Sequence, residues 1–214
     1  GDICAEVVAK EADFGIVVDP DVDRLAFITE KGEMFGEEYT LVACADYILS
    51  KNKGNVVSNL SSSRALRDIA QKHGVQYAAS AVGEVNVVAK MKEVNAIIGG
   101  EGNGGIIFPE LHYGRDALVG VALFLSLLTD KNITVSALRK SYPAYYMSKN
   151  KIELSAGLNP DKVLAAVKER YAHEPITTID GVKIDFPNSW VHLRKSNTEP
   201  IIRIYTEAKS QEEA

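Results

Sequence analysis

The sequence predicts an α/β protein in which a parallel-sheet βαβ domain is followed by a small α+β C-terminal domain. Strand-like and helix-like patterns alternate from residue 34 to residue 130, and such alternation is typical of a mostly parallel sheet with helices on both faces. After about residue 142 the pattern changes to alternating strands with a single helix. That second pattern is typical of a small α+β domain.

The elements of the first domain follow from apolar periodicity and from helix-end signals. The segments NVVSNL, VQYAAS and NAIIGG predict short strands, and EVNVVAKMK continues the alternation between them. In SSSRALRDIAQKHG, serines at the N-terminal cap and a glycine at the C-terminal stop predict a helix. A further helix is predicted upstream of these segments and ends before Gly54. The apolar residues of one of its faces are Leu41, Val42, Ala45, Ile48 and Leu49.

Two further helices are predicted, one in each domain. The apolar run ALVGVALFLSLL has only twelve residues and is flanked by Asp116 and Asp130, whereas a membrane-spanning helix needs about 20 residues. It therefore predicts a buried helix, and no membrane partner is expected. In the second domain, Asn159 as cap and Pro160 in the first turn predict a helix between the strands KIELS and IIRIYTEA.

The amino-acid composition, the net charge and the cysteines limit the kinds of protein that this sequence can represent. The chain has 214 residues, of which 46% are hydrophobic and 25% charged, so it is long enough for globular domains with apolar cores. A net charge of -5 argues against general binding of nucleic acid, although it allows a local basic pocket for a small anion. Cys4 and Cys44 lie far apart without metal-ligand spacing, which favours a reducing, cytoplasmic setting without a disulfide.

Three aspartates stand at alternate positions in VVDPDVDRLAF, directly after an apolar run. In an extended or gently curling segment Asp19, Asp21 and Asp23 would point the same way, and their crowded carboxylates would need a cation. Anionic oxygen ligands suit Mg²⁺. A polar turn helped by Pro20 is one alternative. A phosphatase with an aspartate nucleophile is another, and Arg24 counts against it.

A second polar cluster lies in RKSNTEPIIR, residues 194–203. Short polar side chains and free backbone N–H groups can form a nest for a phosphate, and arginine can bind that phosphate with two hydrogen bonds. The alternative is a solvated turn between two strands. The candidate phosphate ligands are Arg194, Ser196, Asn197, Thr198 and Arg203.

A third polar cluster, GGEGNGG at residues 99–105, directly follows the predicted strand NAII. Glycine-rich loops at the carboxyl ends of parallel strands line ligand crevices in α/β sheets, and Glu101 and Asn103 suit sugar hydroxyls. The segment lacks GxGxxG spacing, so no dinucleotide is expected. A plain glycine turn is the alternative interpretation.

In this order, the three clusters resemble the motifs of the α-D-phosphohexomutase family, which includes phosphoglucomutase, phosphomannomutase and phosphoglucosamine mutase. The family's DGDGDR metal loop, T-x-V-G turn, GGE-x-S-G-H sugar loop and R-x-S-N-T-x-P phosphate loop correspond to DPDVDR, SAVG, GGEGNGG and RKSNTEP. The match covers nearly the whole chain, and the ordered set is far more specific than any single motif.

The resemblance implies an isomerase that interconverts hexose 1-phosphate and 6-phosphate through a phosphoserine and a bisphosphate intermediate. It implies Mg²⁺ on the three aspartates, with Arg24 as the catalytic residue that helps to hold the transferring phosphoryl group. Glu101 and Asn103 would hold sugar hydroxyls. The residues of the second cluster would bind the phosphate that is not reacting.

The departures from the family pattern concern the metal loop and the proton carrier. Pro20 and Val22 replace two loop glycines, but no carboxylate is lost. Gly105 stands where many members carry a histidine thought to shuttle protons, so the proton carrier is unassigned. For His112 a structural or surface role is expected. In the family the phosphoserine lies well upstream of the metal loop, so this chain is expected to be a C-terminal fragment that is inactive alone.

The resemblance also predicts the domain organisation. Residues 1–31 would be the C-terminal part of domain 2 with the metal loop, residues 32–141 the sugar-binding domain 3, and residues 142–214 a truncated phosphate-binding domain 4. Among the sugars, the loop at residues 102–105 favours glucosamine over mannose and glucose. A non-catalytic sugar-phosphate or metal-binding module is the alternative function.

Overall fold

The computed structural model describes residues 2–154, 158–196 and 201–214. Contacts within the chain divide it into a first unit that ends at Pro143 and a second unit that begins at Ala144. The first unit contains a two-stranded and a four-stranded sheet, and the second contains a five-stranded sheet. The three-part domain division of the sequence analysis stays a prediction.

The first unit begins with a helix and a β-hairpin. Helix α1 (Asp2–Ala9) precedes strands β1 (Phe14–Val18) and β2 (Leu25–Thr29), which pair antiparallel with Val18 opposite Leu25. Residues 19–24, here called the acidic loop, therefore form the hairpin connection. The three aspartates thus lie on a loop that reverses the direction of the chain.

A four-stranded sheet with alternating helices forms the rest of the first unit. The strands lie in the order β4-β3-β5-β6, with β4, β3 and β5 parallel and β6 antiparallel at the edge. This order confirms the predicted parallel α/β fold. The elements are α2 (Glu37–Lys51), β3 (Asn55–Asn59), α3 (Ala65–His73), β4 (Tyr77–Ser80), α4 (Glu84–Glu93), β5 (Ala96–Glu101), β6 (Gly105–Ile107), α5 (Ala117–Lys131) and α6 (Val135–Ser141).

Helix α5 is present as predicted, but only one of its faces is buried. Gly120 and Phe124 face the core, and Phe124 stacks on Phe27 with ring centroids 3.7 Å apart. Leu118 and Leu125 are 72% and 40% exposed, so the predicted helix is buried along one face and not on all sides. Within the described residues no single helix is long and apolar enough to cross a membrane, although α5 and α6 together meet that test as a pair bent by 87°.

A buried carboxylate joins several helices of the first unit. Asp46 of α2 accepts hydrogen bonds from Lys72 Nζ at 3.2 Å, Lys131 Nζ at 3.0 Å and the Tyr142 hydroxyl at 3.1 Å. Its Oδ1 also lies 2.8 Å from Nε2 of His73. Buried charges are tolerated where they are paired and hydrogen-bonded in this way. Asp46 therefore fixes α2 against the ends of α3 and α5.

The second unit is an antiparallel sheet with one helix. The strands lie in the order β7-β11-β10-β9-β8, and Leu164 of the helix packs on Val182 and Ile184 of the sheet. The helix begins where Asn159 accepts a hydrogen bond from the backbone of Asp161 at 2.8 Å, so the predicted cap is confirmed. The elements are β7 (Tyr146–Glu153), α7 (Pro160–Arg170), β8 (Ile176–Thr177), β9 (Val182–Asp185), β10 (Trp190–Lys195) and β11 (Ile201–Ala208).

Candidate functional site

Internal hydrogen bonds curl the acidic loop back on itself. Asp19 Oδ1 accepts from the backbone N–H groups of Asp23 and Arg24 at 3.2 and 3.1 Å. Asp19 Oδ2 accepts from Arg24 Nε at 2.7 Å. The backbone N–H of Val22, whose φ is 57°, donates to the carbonyl of Asp19 at 3.0 Å. The loop is thus held by its first aspartate.

The three aspartates do not form a ready-made metal cluster. Asp19 is paired with Arg24, Asp21 is exposed, and Asp23 Oδ2 lies 2.5 Å from Arg115 Nη2. Among the described residues, no group of three or more His, Cys, Asp or Glu side chains is placed to hold a metal ion. In this structure arginines neutralise two of the three carboxylates.

The donor chemistry of the acidic loop nevertheless fits a hard cation. Oδ1 of Asp23 is buried, accepts no hydrogen bond and lies 3.8 Å from Arg24 Nε, and a buried anionic oxygen without a hydrogen bond is costly. Partial burial raises the pKa of Asp19, but the Arg24 side chain and two backbone N–H groups lower it to about 2. Asp19 therefore stays ionised at neutral pH, as a cation ligand must.

The predicted sugar ligands have internal partners. Glu101 is buried at the end of β5, where its Oε1 accepts from Asn59 Nδ2 at 2.6 Å and from the Gly83 backbone N–H at 3.1 Å. Its Oε2 accepts from Arg115 Nη1 at 3.3 Å. Asn103 Oδ1 accepts from the backbone N–H of Gly105 at 3.1 Å. Both assignments to sugar hydroxyls stay predictions.

Two loops that are far apart in the sequence meet in the first unit. Residues 102–104, here called the glycine loop, connect β5 to β6, and the carbonyl of Gly104 accepts from the N–H of Leu25 at 3.1 Å. Gly104 has φ of 86°, and a Cβ there would lie 2.1 Å from the Leu25 carbonyl oxygen. Only glycine permits this approach, so its presence at 104 brings the acidic and glycine loops together.

Serines after β3 support the glycine loop. Ser62 Oγ donates to Asn59 Oδ1 at 2.9 Å and accepts from the N–H of Gly102 at 2.9 Å. Ser63 Oγ accepts from the N–H of Ala65, the first residue of α3, at 3.1 Å. The N-cap residue of α3 is Arg64, which makes no side-chain cap hydrogen bond, so the predicted serine cap is wrong: Ser63 lies one residue before the cap, and Ser62 supports the glycine loop.

Arg115, which no motif in the sequence indicated, lies between the two loops. Its guanidinium contacts Asp23 and Glu101, and its Nε lies 3.3 Å from Glu84 Oε2. Arg115 follows no recognised motif, and the only signal was a lone arginine just before Asp116, the cap of α5. His112 Nε2 lies 3.0 Å from Asp116 Oδ2, a contact in keeping with its predicted structural role.

In the second unit two of the predicted phosphate ligands belong to a row of basic residues, here called the cationic row, which consists of Lys151, Arg203 and Arg194. Arg194 of β10 lies directly opposite Arg203 of β11, and Arg203 lies opposite Lys151 of β7. Like charges at paired positions are unfavourable unless an anion is near. Arg194 Nε lies 3.3 Å from Asp180 Oδ2. Lys151 was not among the predicted phosphate ligands.

The remaining predicted phosphate ligands lie at or beyond the end of β10. The backbone N–H of Ser196 donates to the carbonyl of Ile201 at 3.0 Å, which places Ser196 next to the start of β11. Asn197 and Thr198 lie outside the described residues. All five phosphate assignments stay predictions.

Family models and known relatives match this chain along its length. The model for phosphoglucomutase/phosphomannomutase, alpha/beta/alpha domain III, matches residues 36–146, and the model for the C-terminal domain matches residues 151–214. The phosphoglucomutase/phosphomannomutase of Thermococcus kodakarensis is 38% identical over 97% of this chain and 46% of the relative. The phosphoglucosamine/phosphogalactosamine mutase of Sulfurisphaera tokodaii is 35% identical over 97% of this chain and 47% of the relative.

A solved structure has the same fold. The crystal structure of a phosphoglucomutase/phosphomannomutase family protein from Burkholderia thailandensis matches 99% of this chain and 46% of its own, with a TM-score of 0.86 and 26% identity. The chain spans about half the length of the curated relatives that it matches. By its matches to both domain models, the chain belongs to the phosphoglucomutase/phosphomannomutase family.

Proposed function

We propose that the whole protein is a phosphohexomutase that interconverts hexose 1-phosphates and hexose 6-phosphates, with a glucosamine phosphate as the preferred substrate. The observation that carries this proposal is the junction of the acidic and glycine loops at Leu25 and Gly104. It brings candidate residues for phosphoryl transfer next to candidate residues for sugar binding. Membership of the family supports the reaction class, and the name of the Sulfurisphaera tokodaii relative supports an amino sugar.

In this proposal the acidic loop binds Mg²⁺ through Asp19, Asp21 and Asp23. When bound, the ion would supply Lewis-acid polarisation of a phosphate oxygen. Arg24 is about half exposed at its side chain, so its guanidinium can hold the oxygens of a phosphoryl group while it stays near Asp19. Arginine is suited to this role because its planar fork matches phosphate geometry.

The second unit would bind the phosphate that is not reacting. Lys151, Arg203 and Arg194 supply positive charge from three neighbouring strands, and a phosphate on this row would compete with Glu153 for Lys151 and with Asp180 for Arg194. Ser196, Asn197 and Thr198 would add hydrogen bonds from the adjoining turn. The substrate partner is therefore a hexose phosphate, and a cytoplasmic location stays the expectation from the spacing of Cys4 and Cys44.

The test is turnover of the whole protein on the 1-phosphates of glucosamine, glucose and mannose, with and without a chelator. Arg24→Met should lower kcat about 100-fold or more, because it removes a donor to the transferring group. Arg203→Met should mainly raise KM. The matched control is Arg67→Met, since Arg67 is an exposed arginine on α3, and this variant should behave as the unmodified protein.

Two results would contradict the proposal. Release of inorganic phosphate together with phosphorylation of Asp19 would indicate an aspartate-nucleophile phosphatase instead. Binding of sugar phosphate by the whole protein, without conversion of any of the three sugars, would indicate a non-catalytic module. Full activity in the presence of the chelator would contradict the magnesium assignment alone.

A further inference from the structure

We propose that Arg115 is a positioning residue that couples the acidic loop to the glycine loop. Loss of the charge of Asp23, or binding of a cation there, would then alter the hydrogen bonding of Glu101. The proposal deepens the mutase assignment, and its value for catalysis rests on that proposed function. The coupling itself depends only on contacts within the first unit. It can therefore be tested without substrate and without turnover.

One guanidinium lies within ion-pair distance of three carboxylates, and its Nε makes no hydrogen bond. Nη2 of Arg115 lies 2.5 Å from Asp23 Oδ2, Nη1 lies 3.3 Å from Glu101 Oε2, and Nε lies 3.3 Å from Glu84 Oε2. The backbone N–H of Arg115 also donates to Glu84 Oε1 at 3.0 Å. Because the guanidinium is planar and its donors are fixed relative to one another, a shift toward one carboxylate moves the contacts to the others.

Burial makes these contacts stronger than ordinary surface ion pairs. The side chains of Arg115 and Asp23 are 21% and 22% exposed, and that of Glu101 is 6% exposed. Water and salt screen such partly buried pairs less than exposed ones. The three carboxylates and their shared cation therefore respond to one another as a group.

Gly105 makes room for the arginine. A Cβ at position 105 would lie 2.5 Å from Cδ of Arg115 and 3.1 Å from its Cγ. No real Cβ tolerates the shorter distance, so a side chain at 105 would push the Arg115 stem away from its carboxylates. The glycine is thus explained by the packing of Arg115 over its Cα.

The contacts define a route from the acidic loop to the glycine loop. Oδ2 of Asp23 forms an ion pair with Arg115, whereas Oδ1 is buried and accepts no hydrogen bond. A divalent cation at Asp23 would compete with the singly charged guanidinium and move it. That movement changes the hydrogen bond at Glu101 Oε2, and Glu101 Oε1 accepts from the Gly83 N–H. The amide of Gly83 is therefore a reporter on the far side of the coupling.

The experiment follows the Gly83 amide by NMR in the 214-residue chain. Asp23→Asn should shift this amide in the unmodified background, and the shift should be lost when the substitution is made in Arg115→Met. Addition of Mg²⁺ should move the same amide, again only when Arg115 is present. Asp130→Asn is the matched control, because Asp130 loses the same charge from an exposed pair with Lys51, and it should leave Gly83 unmoved.

Two milder variants guard against loss of the fold. Arg115→Lys keeps the charge but loses the planar guanidinium, and Gly105→Ala displaces the arginine without replacing it. Each variant should therefore reduce the chemical-shift change that Asp23→Asn causes at the Gly83 amide. A shift that persists in all three backgrounds, or no shift in the unmodified background, would overturn the coupling. If Asp23→Asn moves Gly83 but Mg²⁺ does not, the coupling stands and the magnesium site of the proposed function is wrong.

Discussion

Replacing Asp46 by asparagine should destabilise the first unit while leaving the candidate site unchanged. The carboxylate is 2% exposed and has four partners on α3, at the end of α5 and at Tyr142. Asparagine keeps the size of the side chain but removes its charge and one acceptor oxygen. The change therefore measures what the negative charge contributes to folding.

The size of the effect follows from the pKa of Asp46. Burial raises the pKa of this carboxyl, but hydrogen bonds from His73 and Lys131 lower it from 3.8 to about 2. At 1.36 kcal/mol for each pKa unit, this shift corresponds to about 2 kcal/mol. Because the side chains of Lys72 and Lys131 are 58% and 36% exposed, solvent screening reduces the expected loss to about 1–2 kcal/mol at pH 7.

The effect should depend on pH in one direction. The pKa of Asp46 is lower in the folded protein than in the unfolded chain, so its contribution is complete above about pH 4 and is lost as the pH falls toward 2. Urea denaturation of the unmodified protein and of Asp46→Asn should therefore show free energies of unfolding that converge across this range.

Asp130→Asn is the control for this experiment, because Asp130 pairs with Lys51 at the surface and should contribute less than about 1 kcal/mol. Equal losses in the two variants would refute the argument from burial. A difference between Asp46→Asn and the unmodified protein that stays constant down to pH 2 would refute the argument from the pKa.

Three further predictions concern other parts of the chain. Gly104→Ala should lower the free energy of unfolding more than Gly74→Ala, because both backbones are left-handed but only at 104 would a Cβ collide with a carbonyl oxygen; similar urea midpoints would contradict this. A thiol reagent at pH 8 should label Cys4 before Cys44, which is buried and whose pKa burial raises to about 12; equal rates would refute it. Asn159→Ala should cost about 1 kcal/mol through loss of the α7 cap, and an unchanged thermal midpoint of the second unit would exclude that role.

Local patterns in the sequence were sufficient to predict the fold class. The segments between α2 and α5 alternate in a way that only a largely parallel sheet accommodates, and the structure has that sheet. The prediction of a buried helix at α5 did not include which face is buried, because an apolar run does not say which of its faces has a neighbour. Leu118 and Phe124 are similar in hydrophobicity, yet one is 72% exposed and the other is fully buried.

The sequence by itself determined which loops are candidates for binding metal, sugar and phosphate, because aspartate spacing and glycine content are local properties of the chain. Only the tertiary structure decided which residues these loops contact. Arg115 had no pattern of its own, and its contacts with Asp23 and Glu101 exist because the start of β2, at Leu25, lies beside the loop that follows the end of β5. Likewise, the cationic row of Lys151, Arg203 and Arg194 follows from strand register. A side chain's partners depend on long-range strand order and register, which residue spacing alone does not specify.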